Sequence, residues 1–418
     1  MEPSTSRRAG ATVPPVLLLL ACAAPDDTRL APEDPAPVVQ PAEGPANAPI
    51  AGLSAEWQDR YEDGYRAFEL IYGPSRGLGP TYINTTCVSC HAGAQRGPDV
   101  VTKMVVMDGD EPAADQSALP WGNTVRENVA AGGETPILPP EGVEGLFLSV
   151  RIGPAVYGRG YIEAVADSEI ERVEAEQAAA GVVSGRINRI TFSATDADSE
   201  FHDHVAGETG LIGRFGLKAR VATLDEFAAD ALVGDMSITS PMRPTEHPNP
   251  DGVTDDNHDG VDVTLDTVNV LADFTRLVDI PPRPEGILTG EGDAAIGAAR
   301  FAAVGCDLCH VPTLRTRADY PIPQLADIDA PLYSDLLLHD LGVLMLDGIE
   351  DGDATGTEWR TAPLLGLSHH ATFLHDGRAE TVGEAIAAHG GEAAFSVTAF
   401  DALPADERAA VEGYVLAL

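Results

Sequence analysis

Cysteine and basic side chains are both scarce in this 418-residue chain, which has five Cys and 26 Lys plus Arg against 66 Asp plus Glu. Four of the cysteines fall into two C-x-x-C pairs, Cys87/Cys90 and Cys306/Cys309, which leaves only Cys22. A disulfide-stapled scaffold is therefore excluded. The net charge of -40 leaves no basic patch for nucleic acid and repels an anionic membrane surface. Such a surface suits solubility, or the docking of a small basic partner protein. Long apolar runs are missing too, apart from VLLLLAC at its N-terminal end, which is too short to span a bilayer.

That run follows Arg7 and Arg8 and ends at Cys22. A charged start, a short apolar stretch and a small residue before the cut are the layout of a secretory signal over residues 1–22. The ending Leu-Leu-Ala-Cys is similar to a bacterial lipobox, which would make Cys22 a lipidated first residue; an ordinary signal peptide is the alternative. Either way the expected location is periplasmic or cell-envelope, with the membrane reached only through Cys22. Residues 23–52 are Pro, Ala, Asp and Glu with little to bury, and are expected to form a disordered tether.

What is present is concentrated in two pentapeptides, CVSCH at 87–91 and CDLCH at 306–310. C-x-x-C-H is the attachment signature of a c-type haem. Each thiol adds across one vinyl group, and the histidine becomes the proximal iron ligand. Two copies, each with its own histidine, fit two covalent haem c groups better than one four-thiolate zinc site. The expected attachment residues are Cys87, Cys90, Cys306 and Cys309, with His91 and His310 on iron.

An internal repeat supports two units of one plan. FGLKARVATLDEFAA from Phe215 and FLHDGRAETVGEAIA from Phe373 align without a gap. In both, Thr precedes an amphipathic stretch with Glu three residues on, which predicts a capping box. Arg151-Ile152-Gly153-Pro154 parallels Arg360-Thr361-Ala362-Pro363. The expected fold is mostly α: two cytochrome c-like haem domains in tandem with long loop insertions, over 53–280 and 281–418. Near the junction, Asp255, Asn257, Asp259, Gly260 and Asp266 are spaced as in an EF-hand-like loop, so Ca2+ is a candidate ligand; a solvated acidic turn is the alternative.

GRFGLKARVATLDEF, ARFAAVGCDLCHVPTLRT, YSDLLLHDLG, DGDATGTEWRTAPLLGL and FLHDGRAETVGEAIAAHGGEA together resemble the bacterial di-haem oxidoreductase family, relatives of the di-haem cytochrome c peroxidases. The resemblance spans most of residues 60–418. It implies a two-domain, mostly helical cytochrome fold, electron transfer between two haems, and hydrogen peroxide as a substrate at the N-terminal one. A non-catalytic electron carrier with both irons six-coordinate is the competing function.

On the family's pattern, the second distal ligand lies on the helix after HDG, at His389; capping of that helix end is the alternative. For the first haem the resemblance and the repeat favour Met236, with Met107 next and Met242, Met104, His202 and His204 behind. The family's distal glutamate, two residues after a Pro, is not matched, because Arg243 follows Pro241 and Met242. Glu163 and Glu246 are the remaining candidate acids. His339 and His375 match family positions; the resemblance sets His339 near the second haem and His375 to orient backbone or a haem propionate. Arg151, Arg360 and Arg378 are candidate propionate partners, since a guanidinium pairs bidentately with a carboxylate. Trp121 and Trp359 could relay electrons or simply pack.

Overall fold

Ser54 accepts from the Trp57 amide and so starts the first helix. In the computed structural model, which describes residues 46–130, 132–253 and 260–418, the helices that frame the haem motifs are as follows. In chain order they are α1 (Ala55–Phe68), α2 (Asp167–Ala180), α3 (Leu224–Met236), α4 (Leu265–Leu277), α5 (Asp293–Ala303), α6 (Val382–Ala387), α7 (Ala394–Asp401) and α8 (Ala405–Leu416).

Two helix pairs are built alike. In the first, α1 crosses α4 at Gly64, where a Cβ would lie 2.6 Å from both the Phe274 Cβ and the Val270 carbonyl. In the second, α5 crosses α8 at Gly297, where a Cβ would lie 2.4 Å from the Ala410 carbonyl and 2.5 Å from the Tyr414 Cβ. Only glycine allows the axes this close. Four residues on, one turn along the same face, each first helix presents a phenylalanine. Phe68 sits 6.2 Å from the His91 ring and Phe301 6.4 Å from the His310 ring, centroid to centroid. The Gly-x-x-x-Phe repeat thus places one aromatic ring beside each C-x-x-C-H histidine.

The repeat at Phe215 and Phe373 also folds alike. The Phe215 amide donates to the Val221 carbonyl at 2.9 Å, and that of Phe373 to Ala379 at 2.8 Å. Thr223 and Thr381 each accept from the amide three residues on. The capping box is complete only at α6, where Glu384 reaches back to the Thr381 amide. At α3, Glu226 turns away to Ser193 and Arg243, so the box expected there does not close.

The described residues are more mixed than "mostly α": 35% of them are helical and 15% strand. The β-branched run Val100, Val101, Thr102, Val105, Val106 builds strand β1 (Val100–Asp108). It pairs antiparallel with β2 (Leu146–Ile152), from Val100↔Ile152 to Val106↔Leu146. Further on, β3 (Leu338–Asp340) pairs antiparallel with β4 (Glu358–Arg360).

All the described residues fall in one compact unit. Tyr320, Ile322 and Leu325 from the C-terminal half share a cluster with Trp57 and Leu277. The tether ends earlier than composition suggests: Ala46 and Ile50 are buried, and the Ile50 amide donates to the Leu277 carbonyl. The signal segment, Cys22 and residues 23–45 lie outside the described residues. So do Asp255, Asn257 and Asp259 of the candidate calcium loop; Asp266, at its end, is in the first turn of α4. Among the described residues no helix is long and apolar enough to cross a membrane.

Candidate haem sites

Both C-x-x-C-H segments close one helical turn. The His91 amide donates to the Cys87 carbonyl and that of His310 to the Cys306 carbonyl, each at 2.9 Å. This turn puts cysteines three apart on one face. Burial pushes the thiols of Cys87 and Cys306 up to about 12 and that of Cys90 to about 11, and it raises Cys309 as well. All four are neutral thiols at neutral pH, unlike the low-pKa thiolates of disulfide exchange.

Cys306, Cys309, His310 and His389 line one cavity of about 290 Å³, whose walls are otherwise largely apolar. His310 Nδ1 lies 3.0 Å from the Tyr333 carbonyl, and His389 Nδ1 lies 2.8 Å from the Ala385 carbonyl. A ring nitrogen facing a carbonyl must carry the proton, which leaves the lone pair on Nε2 in both rings. Burial lowers His310 to about 4, with His389 adding to the shift, and burial lowers His389 itself. Two neutral imidazoles, each anchored through Nδ1, therefore line one apolar cavity beside a cysteine pair. Helix capping and metal ligation by His389 are not rivals here: Nδ1 caps α6 while Nε2 stays available. This donor set and this cavity fit a haem.

At the other motif, burial lowers His91 to about 4, with the Gln95 backbone opposing, and its Nδ1 is buried without a hydrogen bond. Gly153 presses on the ring; a Cβ there would lie 2.8 Å from Cε1. The last turn of α3 covers the approach to this motif, with the Ile83 and Gly79 amides donating to the Asp235 and Met236 carbonyls. Met236 is buried in the core against which Cys87 packs.

Strand β1, the antiparallel partner of the Arg-x-x-Pro strand β2, carries Met107 away from this motif. Val100 pairs with Ile152 beside Gly153, and Met107 lies seven strand residues further on, about 23 Å at ~3.3 Å per residue. There it packs on Gly348, remote from His91. Met104 and Met242 are core side chains, and His202 and His204 are engaged by Asp225 and Glu208.

The family described as "Di-haem oxidoreductase, putative peroxidase" matches residues 143–418. The chain belongs to that family. The matched span holds CDLCH, His339, His375 and His389; it begins beyond CVSCH, so the first motif rests on its own local geometry. Among solved structures, the chain is similar to a MauG-like protein associated with microbial copper homeostasis (14% identity, 93% of this chain and 95% of that chain, TM-score 0.40). It is also similar to hydrazine synthase of Kuenenia stuttgartiensis (14%, 93% and 98%, 0.36) and to a variant of the diheme peroxidase BthA of Burkholderia thailandensis (14%, 85% and 78%, 0.35). No curated protein matches it.

In this family member Glu163 is engaged by four donors. The carboxylate accepts from Arg276 Nε at 2.6 Å and Nη2 at 3.1 Å, from the Tyr320 hydroxyl at 2.8 Å and from the Leu224 amide at 2.8 Å. Burial would raise its pKa, but Arg276 holds it below the ordinary carboxylate value. A group kept ionised cannot serve as a proton donor. Glu246 lies within electrostatic reach of Arg126 and does not line the cavity.

The arginines sort differently from expectation. Arg151 is bound by Asp347 through Nε (2.9 Å) and Nη2 (2.5 Å) and by Asp351 through Nη1 (2.8 Å), so it is not available to a propionate. Arg378 is surface-facing and bonds the Leu344 carbonyl. Arg360 remains, buried on the cavity wall, and Arg96 and Arg159 line the same cavity. The sequence reading missed those two, because neither lies in a repeated segment.

Trp359 stacks on His375 at 4.0 Å, with Lys218 Nζ 4.3 Å and the Arg151 guanidinium 5.7 Å from its ring centre. Two cations on the ring make electron removal harder, which disfavours relay through it. Trp121 is solvent-exposed.

Buried His339 bridges two carboxylates, with Nε2 2.9 Å from Asp335 and Nδ1 3.0 Å from Glu392; Nδ1 is also 3.7 Å from the Cys309 sulfur. Burial alone would lower its pKa, but these partners raise it to about 12. Because the folded value exceeds the unfolded one of about 6.5, this stabilisation is complete below about pH 6.5. It fades as pH climbs toward the folded value. The melting temperature of the wild type should therefore fall more steeply from about pH 7 to about pH 10 than that of His339→Gln. Parallel slopes would mean a neutral His339.

Proposed function

We propose that this di-haem oxidoreductase is an exported c-type cytochrome, with haem thioether-linked at Cys87/Cys90 and at Cys306/Cys309 in two cytochrome-like halves. When bound, each haem supplies a one-electron iron couple, and an iron with a releasable sixth ligand can reduce peroxide. The observation that carries the reading is the matched pair His310 and His389, each with Nδ1 on a backbone carbonyl in one cavity. Bis-histidine ligation saturates the second iron and assigns it electron transfer. Met236 is the preferred sixth ligand at the first, beside His91. Hydrogen peroxide is the oxidant we assign there, and a small basic redox protein is the donor. The location is periplasmic or cell-envelope, through lipidated Cys22.

A non-catalytic electron carrier is the second reading, favoured by one observation: Glu163, a candidate acid, is held ionised by Arg276. Electron paramagnetic resonance of the purified holoprotein, oxidised and half-reduced, separates the two. A high-spin ferric signal that appears on half-reduction and disappears with peroxide supports the peroxidase. Two low-spin haems that ignore peroxide leave the carrier.

A further inference from the structure

Three guanidinium groups line the cavity with no carboxylate in ion-pair contact among the described residues; Asp376 and Asp335 act on Arg96 and Arg360 only at longer range. Arg96 donates through Nη1 to the Thr372 carbonyl at 2.6 Å and through Nη2 to that of Leu374. Arg159 donates only through Nε, to the Ala155 carbonyl at 2.7 Å. Arg360 donates to the Gly216 and Thr361 carbonyls at 3.2 and 3.0 Å. Each guanidinium has five N–H donors, so several on each are left over, and those of Arg159 include both Nη groups. Other buried arginines of this acidic chain are paired with carboxylates: Arg151 holds two aspartates and Arg276 holds Glu163 and Asp273, whereas Arg126 donates to the Gly234 carbonyl. Leaving three cations unpaired in an apolar cavity is costly unless an anion completes them. Beside them the Tyr157 hydroxyl lies 2.9 Å from His370 Nε2, adding a polar pair to the same wall.

We propose that Arg96, Arg159 and Arg360 form an anion cradle that takes the propionate carboxylates of the bound haem groups. The cradle draws residues from three places: the segment after CVSCH, the start of the short helix Arg159–Ala164, and β4. It sits between the two motifs, because the cavity that Arg159 shares with His310 lies across residues 153–156 from His91. Haem carboxylates held there would have their charge offset by these cations. The inference rests on the two-haem reading above.

The test uses matured holoprotein carrying Arg159→Gln or Arg360→Gln, with Arg378→Gln as the surface control. Haem content is measured first; loss of haem from the wild type would sink the two-haem reading itself. Optical redox titration at mildly alkaline pH then follows both haems. Removing a cation beside a propionate favours ferric iron, so one midpoint should fall by about tenfold in equilibrium constant, ~59 mV for one electron. The control should move neither. If a Gln variant does not mature, Arg159→Lys and Arg360→Lys keep the charge but lose the fork. Their resonance Raman propionate bending band should shift. Unchanged midpoints in the Gln variants, or an unchanged Raman band in the Lys variants, with haem present, would overturn the cradle while leaving the two-haem reading intact.

Discussion

His389→Ala is expected to turn the haem at CDLCH from a six-coordinate low-spin centre into a high-spin one, with a visible-band shift and a gain of exogenous ligand binding. The protein itself fixes the ring: α6 ends at Ala387, and the Ala385 carbonyl accepts a hydrogen bond from Nδ1–H. Deleting the ring leaves the iron with His310 alone, and cyanide or imidazole should then bind there. His389→Met should restore a low-spin haem at higher potential, because thioether favours ferrous iron more than imidazole does. A low-spin spectrum unchanged in His389→Ala would remove His389 from the iron and restore it to a plain helix cap.

Glu163→Gln should cost stability and spare chemistry. The wild-type carboxylate meets four donors from Arg276, Tyr320 and Leu224, and so ties the helix Arg159–Ala164 to α4, α3 and the C-terminal half. Breaking a buried, hydrogen-bonded ion pair by removing one charge costs about 3–5 kcal/mol, because the partner stays buried without its counter-charge. Asp273, 3.1 Å from Arg276, cushions part of this. Denaturant unfolding of the holoprotein should show the loss, while peroxide consumption per folded molecule stays near wild type. Normal stability with abolished turnover would restore Glu163 to the catalytic list.

How much of this was legible in the sequence depends on whether the signal was local. CVSCH and CDLCH declare themselves because attachment needs fixed spacing, and the Phe215/Phe373 repeat because a capped helix start is written in a few adjacent residues. His389 could be found because it lies a short, countable distance from His375. The Gly64/Phe68 and Gly297/Phe301 repeat is present in the sequence, but its meaning depends on α4 and α8 crossing those glycines. Ion pairing was not readable at all. Arg151 and Arg360 hold equivalent places in the repeat, yet the first is consumed by Asp347 and Asp351, some two hundred positions away, and the second is not. Glu163 looked available for the same reason: Arg276 and Tyr320 are remote in sequence. The strands of 100–152 were obscured by charged, glycine-rich flanks, although the Val run carries the β signal.

The most direct test of the central claim is intact and peptide mass spectrometry of the exported holoprotein, together with a haem assay. The account predicts two haems per chain, one thioether-linked to the peptide holding Cys87 and Cys90 and one to that holding Cys306 and Cys309. A single haem, or free thiols at either pair in fully matured protein, would contradict it.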